Sequence, residues 1–331
     1  MAGQDSGGCK LSVISNFPPP SAVSGALALV GVTASGKSAI ALAVARSQQC
    51  CEIISVDSMQ VYRHMDIGTA KPSVQIRAEV PHHLVDVADP CEDYSLTKFQ
   101  AAAQQARLAI EARGNLALFV GGTGLYHRAV IDNLNIPGQY PNITSELEQE
   151  PDTSALHSRL VELDPVAANR MEPTNRRRVI RALEVTLGSG RCFSSYGPGL
   201  GQYRASAITQ VGLSLSRAEM DRRIQQRFDC QMQADFLEEV KVLLARPEPL
   251  SRTASQALGY KELIAHLRGE MSLDEAVALA VVRTRRFARR QERWFRRDPR
   301  ITWLDAAEEP EVLAAQVVAK HCPQSFAQLR D

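Results

Sequence analysis

A glycine-rich segment near the start of the chain restricts the possible folds more than any other feature of the sequence. Residues 31–38 read Gly-Val-Thr-Ala-Ser-Gly-Lys-Ser and match the phosphate-binding pattern G-x-x-x-x-G-K-[ST] at every constrained position. An apolar run over 26–30 precedes the segment, and a stretch with helical character follows it to about Ser47. A strand, a loop and a helix in this order hold phosphate on backbone N–H groups and on the positive end of the helix. The segment therefore predicts an α/β fold that binds a phosphorylated ligand.

The segments that follow extend the same pattern. Residues 52–56 and 116–120 have the character of buried strands, and 94–113 between them has apolar residues at helical spacing. Alternating strands and helices predict a parallel sheet. Further strands are predicted at 207–215 and 301–304, and further helices at 154–163, 176–187, 217–245, 273–298 and 310–320. The predicted fold class is α/β, a P-loop NTPase-like parallel sheet core with an inserted helical domain and a helical C-terminal part.

Changes in composition divide the chain of 331 residues into segments. Residues 1–25 are rich in Ser, Gly and Pro and predict a disordered leader. The first part of the core is expected over 26–136. A Pro/Asn/Glu-rich stretch at 137–152 reads as a linker or the edge of an insertion, so a helical insertion is expected over 137–201. The core continues over 202–306 with long basic helices, and 307–331 forms a C-terminal helix and tail.

Several classes of protein are excluded by composition. The longest apolar run is far shorter than the ~20 residues of a membrane span, so no membrane partner is expected. The seven cysteines are odd in number and form no C-x-x-C pair, which argues against a zinc site or a disulfide framework and favours a cytoplasmic protein. Neither a secretory signal nor an internal repeat is recognisable. The net charge of +1 argues, taken alone, against a nucleic-acid partner.

The average charge conceals two basic clusters. Eight arginines fall within the fifteen residues 283–297, and on a helix they occupy an arc of about 160° opposite the apolar residues. A second cluster comprises Arg176, Arg177, Arg178 and Arg181. Runs of a single charge sign often form solvated faces, but the planar guanidinium suits phosphate groups. The clusters therefore favour contact with phosphate or RNA.

Three side chains near the predicted loop could carry chemistry. Lys37 offers a mobile cation to a terminal phosphate, and Ser38 offers a hydroxyl to Mg²⁺. Asp57 follows a strand and could bind a metal ion, act as general base as in a small-molecule kinase, or cap a turn. A P-loop ATPase normally has a second strand that ends in a magnesium-binding Asp, but the strand at 116–120 ends in Gly121. The residues alone leave the phosphate ligand open.

More specific motifs follow along the chain. They read Ser-Val-Asp-Ser-Met-Gln-Val-Tyr at 55–62, Met-Asp-Ile-Gly-Thr-Ala-Lys-Pro at 65–72, Pro-His-His-Leu at 81–84 and Gly-Gly-Thr-Gly-Leu-Tyr at 121–126. Together with 31–38, and with later matches at 177–185, 223–228, 258–261 and 284–294, they closely resemble the tRNA isopentenyltransferase (tRNA dimethylallyltransferase) family. The resemblance covers about 27–304, and the set of motifs is highly specific, whereas each motif alone is not.

This resemblance implies an enzyme that transfers a dimethylallyl group from dimethylallyl diphosphate to N6 of adenosine 37, beside the anticodon of tRNA. The implied catalytic residues are Asp57 as general base, Thr123 for substrate positioning and Lys37. The diphosphate is then held by Gly31, Val32, Thr33, Ala34, Ser35, Gly36, Lys37, Ser38 and Arg227, with Mg²⁺ on the diphosphate and on Ser38. The implied contacts to the tRNA anticodon stem-loop are Asp57, Ser58, Met59, Gln60, Thr123, Arg177, Arg178, Arg181, Gly259, Tyr260, Lys261, Arg286 and Arg290. The resemblance also implies that the helical insertion at 137–201 binds tRNA. A monomer is expected.

Other interpretations compete with this one. A small-molecule P-loop kinase would use the same loop and Asp57 but would not need the arginines. A prenyltransferase could act on free adenine nucleotide, and a non-catalytic RNA-binding module could use the loop as a nucleotide switch. The chain also departs from the family pattern: 137–152 is shorter than usual, with Ser145 near an expected basic residue, and Gln256 stands where many members have Arg. We interpret His82 and His83 as structural, whereas Asp66 and Lys71 could bind each other or substrate.

Overall fold

A parallel sheet lies at the centre of the part of the chain that the structure describes. The structure is a computed structural model and describes residues 25–48 and 50–321. Within these residues the strands are β1 (Ala26–Gly31), β2 (Cys51–Val56), β3 (His82–His83), β4 (Leu116–Gly121), β5 (Thr209–Ser214) and β6 (Ile301–Asp305). They lie in the order β3-β2-β4-β1-β5-β6, and every pair is parallel. The predicted parallel α/β core is confirmed.

Helices connect and cover the strands. They are α1 (Lys37–Ser47), α2 (Val74–Glu79), α3 (Leu96–Ala112), α4 (Gly124–Ile131), α5 (Pro141–Glu148), α6 (Thr153–Leu163), α7 (Pro165–Ala168), α8 (Arg176–Ser189), α9 (Arg217–Gln233), α10 (Phe236–Leu244), α11 (Arg252–Ser255), α12 (Tyr260–Leu267), α13 (Leu273–Phe295) and α14 (Pro310–His321). Ser272 starts α13 in a reciprocal capping box with Glu275, as the sequence of this segment indicates. No helix in the described ranges is long and apolar enough to span a membrane.

The sheet is buried on both faces, which explains why its central strands read as continuous apolar runs. Successive residues of β1 alternate between two cores. Leu27 and Leu29 pack with residues of α1 and α14, whereas Ala26 and Ala28 belong to a larger core that includes residues of α3, α9, α10, α12 and α13. The central strands are therefore held rigidly between two layers of helices.

Helices α5 to α8 enclose a third core of their own. Leu147, Leu156, Leu160, Val179 and Leu183 form its buried centre, separate from the cores that pack on the sheet. The stretch 137–152, which the sequence analysis interpreted as a linker or the edge of an insertion, contains helix α5 at Pro141–Glu148. Pro141 at the first turn of α5 gives this helix a favourable start.

Two helix predictions were wrong in their bounds. The helix predicted over 217–245 is broken between α9 and α10, because Asp235 adopts a left-handed backbone conformation with φ of 65°. The helix predicted to reach residue 298 ends at Phe295. The sequence analysis also did not predict β3, α2, α4, α7, α11 or α12. Its predicted leader, 1–25, lies outside the described residues apart from Gly25.

The start of α10 holds the loop that follows β2. The Glu239 carboxylate accepts hydrogen bonds from the backbone N–H groups of Asp66 (2.9 Å), Ile67 (2.7 Å) and Gly68 (3.3 Å), and from the Tyr260 hydroxyl (2.6 Å). Burial and the neighbouring carboxylate raise the pKa of Tyr260 well above its usual range. Glu239 thus links the loop to the helical layer.

We expect Glu239→Ala to lower the free energy of unfolding by about 2 kcal/mol, because it leaves several buried or half-buried donors without an acceptor. Urea unfolding followed by circular dichroism measures this change. Glu238→Ala is the matched control: its carboxylate makes an exposed ion pair with Lys241 (3.0 Å), so its loss should cost less than about 0.5 kcal/mol. Equal losses for the two variants would contradict the anchoring role of Glu239.

Candidate active site

Three loops meet at the carboxyl edge of the sheet because the ends of three neighbouring strands are level. Val56 in β2 and Val30 in β1 both pair with Gly121 in β4. The chain leaves β1 into the phosphate-binding loop, β2 into Asp57, and β4 into Gly122 and Thr123. In open parallel sheets, this edge is where ligands bind. The sheet thus brings together the three segments that the sequence analysis singled out.

The phosphate-binding loop curls back onto itself before α1 begins. Gly36, with φ of 88°, occupies the N-cap position of α1, a conformation that glycine adopts without strain. The Lys37 ammonium points into the loop, donating to the Val32 carbonyl at 2.5 Å and lying 3.5 Å from the Ser35 hydroxyl. The loop therefore closes tightly before α1, with its cation folded inward.

Two cations face each other at this loop. The guanidinium of Arg227, on α9, donates to the Thr33 hydroxyl at 3.4 Å. Burial, with a further contribution from the positive charge of Arg227, lowers the pKa of Lys37 to about 7. Burial also lowers the pKa of Arg227. Asp57 opposes both shifts. Because two desolvated cations repel each other, an anion bound between them would be stabilised by both.

The Asp57 carboxylate is held at one oxygen by the turn that follows β2. Its Oδ1 accepts the backbone N–H groups of Met59 (2.8 Å) and Gln60 (3.3 Å). Its Oδ2 has no hydrogen-bond partner among the residues that the structure describes. The turn therefore fixes the direction of the carboxylate and leaves one oxygen available to a ligand.

Thr123 joins the β4 loop to the Asp57 turn. Its hydroxyl accepts the backbone N–H of Ser58 at 3.3 Å, and its own N–H donates to the Val56 carbonyl at 3.4 Å. Thr123 also occupies the N-cap position of α4, but its side chain forms no cap hydrogen bond there. The hydroxyl thus lies beside the Asp57 turn.

The rest of the loop after β2 is secured by internal contacts. Gln60 accepts from the Ser55 hydroxyl at 2.8 Å and donates to the carbonyls of Thr69 and Ala70, both at 3.3 Å. Lys71 is bound to Asp66 and to Asp86. Of the two alternatives for Asp66 and Lys71, the structure therefore has the mutual ion pair.

The paired histidines also make structural contacts. Nδ1 of His82 lies 2.7 Å from the Val80 carbonyl, and Nε2 of His83 lies 2.7 Å from Glu52 Oε2. Burial lowers the pKa of His82. These contacts agree with the structural interpretation of both residues.

The arginines of α13 divide into two groups. Arg286, Arg290 and Arg293 are exposed along one side of the helix; we call this set the arginine face. Arg283 is instead paired with the buried Glu262, and Arg285 lies 3.7 Å from Asp221. Part of the predicted basic stripe therefore stabilises the fold, and the arginine face is exposed.

The basic cluster of α8 divides in the same way. Arg176 donates to the carbonyls of Glu148, Glu150 and Pro151, and Arg181 donates to the Pro137 carbonyl at 2.9 Å. These two residues tie α8 to the start of the helical insertion. Arg177 and Arg178 are exposed.

The segment Gly259, Tyr260 and Lys261 is mostly internal. Tyr260 is fully buried and its ring packs edge-on against Phe236, at 4.9 Å between ring centroids. Gly259 is buried too, whereas Lys261 is exposed and donates to Gln256 at 2.7 Å. In this conformation, the Tyr260 side chain supports the loop after β2 through Glu239 and presents no surface to RNA.

The residues present fit a magnesium ion that is bound mainly through a diphosphate. Among the described residues, no group of three His, Cys, Asp or Glu side chains could hold a metal ion alone. The Ser38 side chain is exposed at the start of α1, beside the inward-facing Lys37. Magnesium commonly keeps several waters and binds few protein oxygens together with substrate phosphates. Ser38 is therefore the residue that would hold the ion, together with the diphosphate.

Gln291 is the main site residue that sequence reasoning missed. Its side chain, on α13, contacts both the phosphate-binding loop and the turn after β4. A signal was present, since Gln291 falls on the apolar side of a helix whose opposite side is basic, and a polar residue there must find buried partners. Glu239, which accepts from three successive backbone N–H groups, carried no comparable signal.

Comparisons with known proteins agree with this arrangement. The family model described as IPP transferase matches residues 60–298, and one described as Isopentenyl transferase matches residues 24–80. A tRNA dimethylallyltransferase of Streptomyces coelicolor is 44% identical over 294 residues, which is 88% of this chain and 92% of the relative. One of Symbiobacterium thermophilum is 45% identical over 282 residues, 84% of this chain and 88% of the relative.

Solved structures of tRNA isopentenyltransferases are also similar to this chain. The full-length tRNA isopentenylpyrophosphate transferase of Bacillus halodurans is 35% identical, with a TM-score of 0.66 over 93% of this chain and 99% of that one. A eukaryotic dimethylallyltransferase acting on tRNA is 25% identical, with a TM-score of 0.71 over 92% of this chain and 79% of that one. Because one family model alone spans more than half of the chain and the relatives match nearly all of it, the chain belongs to the IPP transferase family.

Proposed function

We propose that this protein transfers a dimethylallyl group from dimethylallyl diphosphate to N6 of adenosine 37 in tRNA. The observation that carries the proposal is the shared edge of the sheet, where Asp57, Thr123 and Lys37 follow neighbouring strands and Arg227, on α9, contacts the phosphate-binding loop. A base, a positioning hydroxyl and an anion site are the parts that this transfer needs. The protein's cytoplasmic location and monomeric state stay predictions.

The proposed chemistry begins with the acceptor amine. The lone pair of an exocyclic adenine amine is delocalised into the ring, so the amine is a weak nucleophile. Oδ2 of Asp57 would accept an N6 proton as the new C–N bond forms at the allylic C1, while Oδ1 stays on the backbone N–H groups of Met59 and Gln60. The Thr123 hydroxyl, fixed by the Ser58 N–H, would orient the acceptor beside this carboxylate.

The leaving group receives the negative charge. As the C1–O bond breaks, diphosphate departs with the bonding electron pair, and Lys37, Arg227 and the loop N–H groups would stabilise the charge that develops. When bound, Mg²⁺ would neutralise part of the diphosphate charge and be held through the diphosphate and Ser38. Both cations contact the phosphate-binding loop, Lys37 at the Val32 carbonyl and Arg227 at the Thr33 hydroxyl, and these contacts support the assignment.

The two exposed basic surfaces suit the RNA partner. We propose that the arginine face of α13 and Arg177 with Arg178 on α8 bind phosphates of the anticodon stem-loop. The target base would leave the loop stack and enter the site, since N6 cannot otherwise reach Asp57. Ser58, Met59 and Gln60, on the turn beside Asp57, lie where they could contact the flanking nucleotides.

The deciding experiment is incorporation of labelled dimethylallyl diphosphate into unmodified tRNA in the presence of Mg²⁺, run beside an ATP-consumption assay. We expect label in tRNA, with no label when A37 is replaced by G and no effect when ATP is omitted. Label in free adenine nucleotide but not in tRNA would identify the other prenyltransferase. ATP consumption that requires a small acceptor, without label in tRNA, would instead identify a kinase.

Binding of diphosphate should be accompanied by proton uptake at Lys37. With a pKa of about 7, this lysine is mostly neutral at pH 8 in the free protein, and a bound anion favours its charged form. Calorimetry with inorganic pyrophosphate and Mg²⁺ at pH 8, in buffers of different ionisation enthalpy, measures the number of protons taken up on binding. The wild-type protein should take up as much as about one proton more than Lys37→Arg. The difference should vanish below about pH 6, where Lys37 is already charged. Equal uptake by both proteins at pH 8 would contradict the lowered pKa.

A further inference from the structure

A single buried side chain connects the two loops that would hold the reacting groups. Gln291 lies on α13, directly after Arg290 of the arginine face, but it points inward and is only 7% exposed. Its Oε1 accepts the backbone N–H of Thr33, in the phosphate-binding loop, at 2.8 Å. Its Nε2 donates to the Gly122 carbonyl, in the turn after β4, at 2.8 Å. Both ends of the amide are therefore committed to backbone groups of the site.

The turn after β4 is shaped to admit this amide. A Cβ at Gly122 would lie 2.4 Å from Gln291 Nε2, closer than real side chains approach each other. The chain therefore has glycine at the position where the Gln291 amide approaches the backbone. A merely space-filling side chain would need neither this gap nor two hydrogen bonds of opposite polarity.

We propose that Gln291 is a positioning residue that sets the distance between the diphosphate cradle and the Thr123 turn. It acts through Thr33, whose hydroxyl accepts a hydrogen bond from Arg227. It also acts through Gly122, which directly precedes Thr123. Loss of the amide would let the two loops move apart, so the leaving group and the acceptor would no longer be held in reacting geometry. This inference rests on the proposed prenyl transfer. It assigns to Gln291 an effect on diphosphate binding and turnover and none on RNA affinity.

The test compares three variants in the transfer assay. Gln291→Met keeps the length of the side chain and removes both hydrogen bonds. We expect KM for dimethylallyl diphosphate to rise about 10-fold and kcat to fall about 10-fold, with the tRNA dissociation constant changed less than twofold. Gln100→Met is the matched control, because the Gln100 amide also donates to two backbone carbonyls, of Ala129 (2.8 Å) and Leu134 (2.9 Å), away from the loops of the site.

The third variant, Gln291→Glu, gives a readout that a purely structural role would not produce. A neutral carboxyl can accept from Thr33 and donate its O–H to the Gly122 carbonyl, whereas a carboxylate would face that carbonyl oxygen without a proton between them. We expect its kcat, relative to wild type, to recover as pH falls from about 8 to about 5.5, with no such recovery in Gln291→Met. A relative kcat independent of pH would overturn the proposal.

Other outcomes are equally decisive. Changes in KM and kcat no larger than those of Gln100→Met, or a loss of tRNA affinity as large as the rise in KM, would overturn the positioning role. If Gln291→Met does not unfold cooperatively, Gln291→Glu at low pH decides instead. Wild-type protein that labels no tRNA would contradict the proposed function. Calorimetry with inorganic pyrophosphate then still tests Gln291, since weaker binding by Gln291→Met than by Gln100→Met is expected in either case.

Discussion

Asp57→Ala is expected to lower kcat for prenyl transfer by about 100-fold or more while leaving tRNA affinity nearly unchanged. The expectation follows from the two oxygens of the carboxylate. Oδ1 accepts from the N–H groups of Met59 and Gln60, and Oδ2 is the oxygen that we propose takes the N6 proton. Single-turnover rates at saturating tRNA measure the chemical step, and filter binding measures the tRNA dissociation constant.

Asp57→Asn separates the role of the carboxylate as a base from its role as a hydrogen-bond acceptor in the turn. Asparagine keeps an Oδ1 that accepts from Met59 and Gln60, but its other end is an amide and cannot take a proton from N6. We expect nearly the same loss of kcat as in Asp57→Ala, without a loss of stability. Asp66→Asn is the control, since Asp66 lies in the same loop but pairs with Lys71. Equal losses of binding and turnover in Asp57→Asn would remove Asp57 from the catalytic role.

The parts of the site that could be predicted from the sequence are those with a local cause. The phosphate-binding loop follows from glycine at positions that need it and from the strand and helix on either side. The shared edge of Asp57 and Thr123 follows because parallel strands place their carboxyl ends together. The level ends of β1, β2 and β4 give this argument its geometric basis.

The parts that could not be predicted depend on contacts between distant segments. Gln291 reaches Thr33 across 258 positions of the chain, and Glu239 reaches Ile67 across 172. The helical period puts Gln291 on the buried side of α13 but does not identify its two partners, and the contact of Glu239 leaves no periodic trace at all. The break at Asp235 was missed because its left-handed conformation is uncommon outside glycine, and the surrounding residues favour a helix. Likewise, the period of the arginines on α13 predicts which way they point, but not that Arg283 meets Glu262.

Charge reversal on the arginine face is expected to give the largest loss of tRNA affinity. In the triple variant of Arg286, Arg290 and Arg293 to Glu, three exposed cations become anions, so phosphate contacts are lost and repulsion is added. We expect the tRNA dissociation constant to rise about 1,000-fold at 0.1 M salt, and the slope of log affinity against log salt to become shallower by about 2 or more. Filter binding across a salt series measures both quantities.

The control must carry the same change in net charge. Lys98, Lys241 and Lys320, on α3, α10 and α14, are exposed, and their reversal to Glu changes the charge equally. If the arginine face binds RNA, this control should keep most of its affinity and nearly all of its salt slope. Matching losses in both variants would mean that only net charge matters.

The same triple variant separates the enzyme classes. Binding of inorganic pyrophosphate should stay within about twofold of wild type, because the proposed diphosphate ligands Lys37 and Arg227, which contact the phosphate-binding loop, are unchanged in this variant. A small-molecule kinase would keep its kcat/KM for a small acceptor, since it has no use for the arginine face. A tRNA enzyme should lose kcat/KM for tRNA in proportion to its affinity and recover kcat at saturating tRNA. That recovery would place the arginines in substrate capture and leave the chemistry to the edge of the sheet.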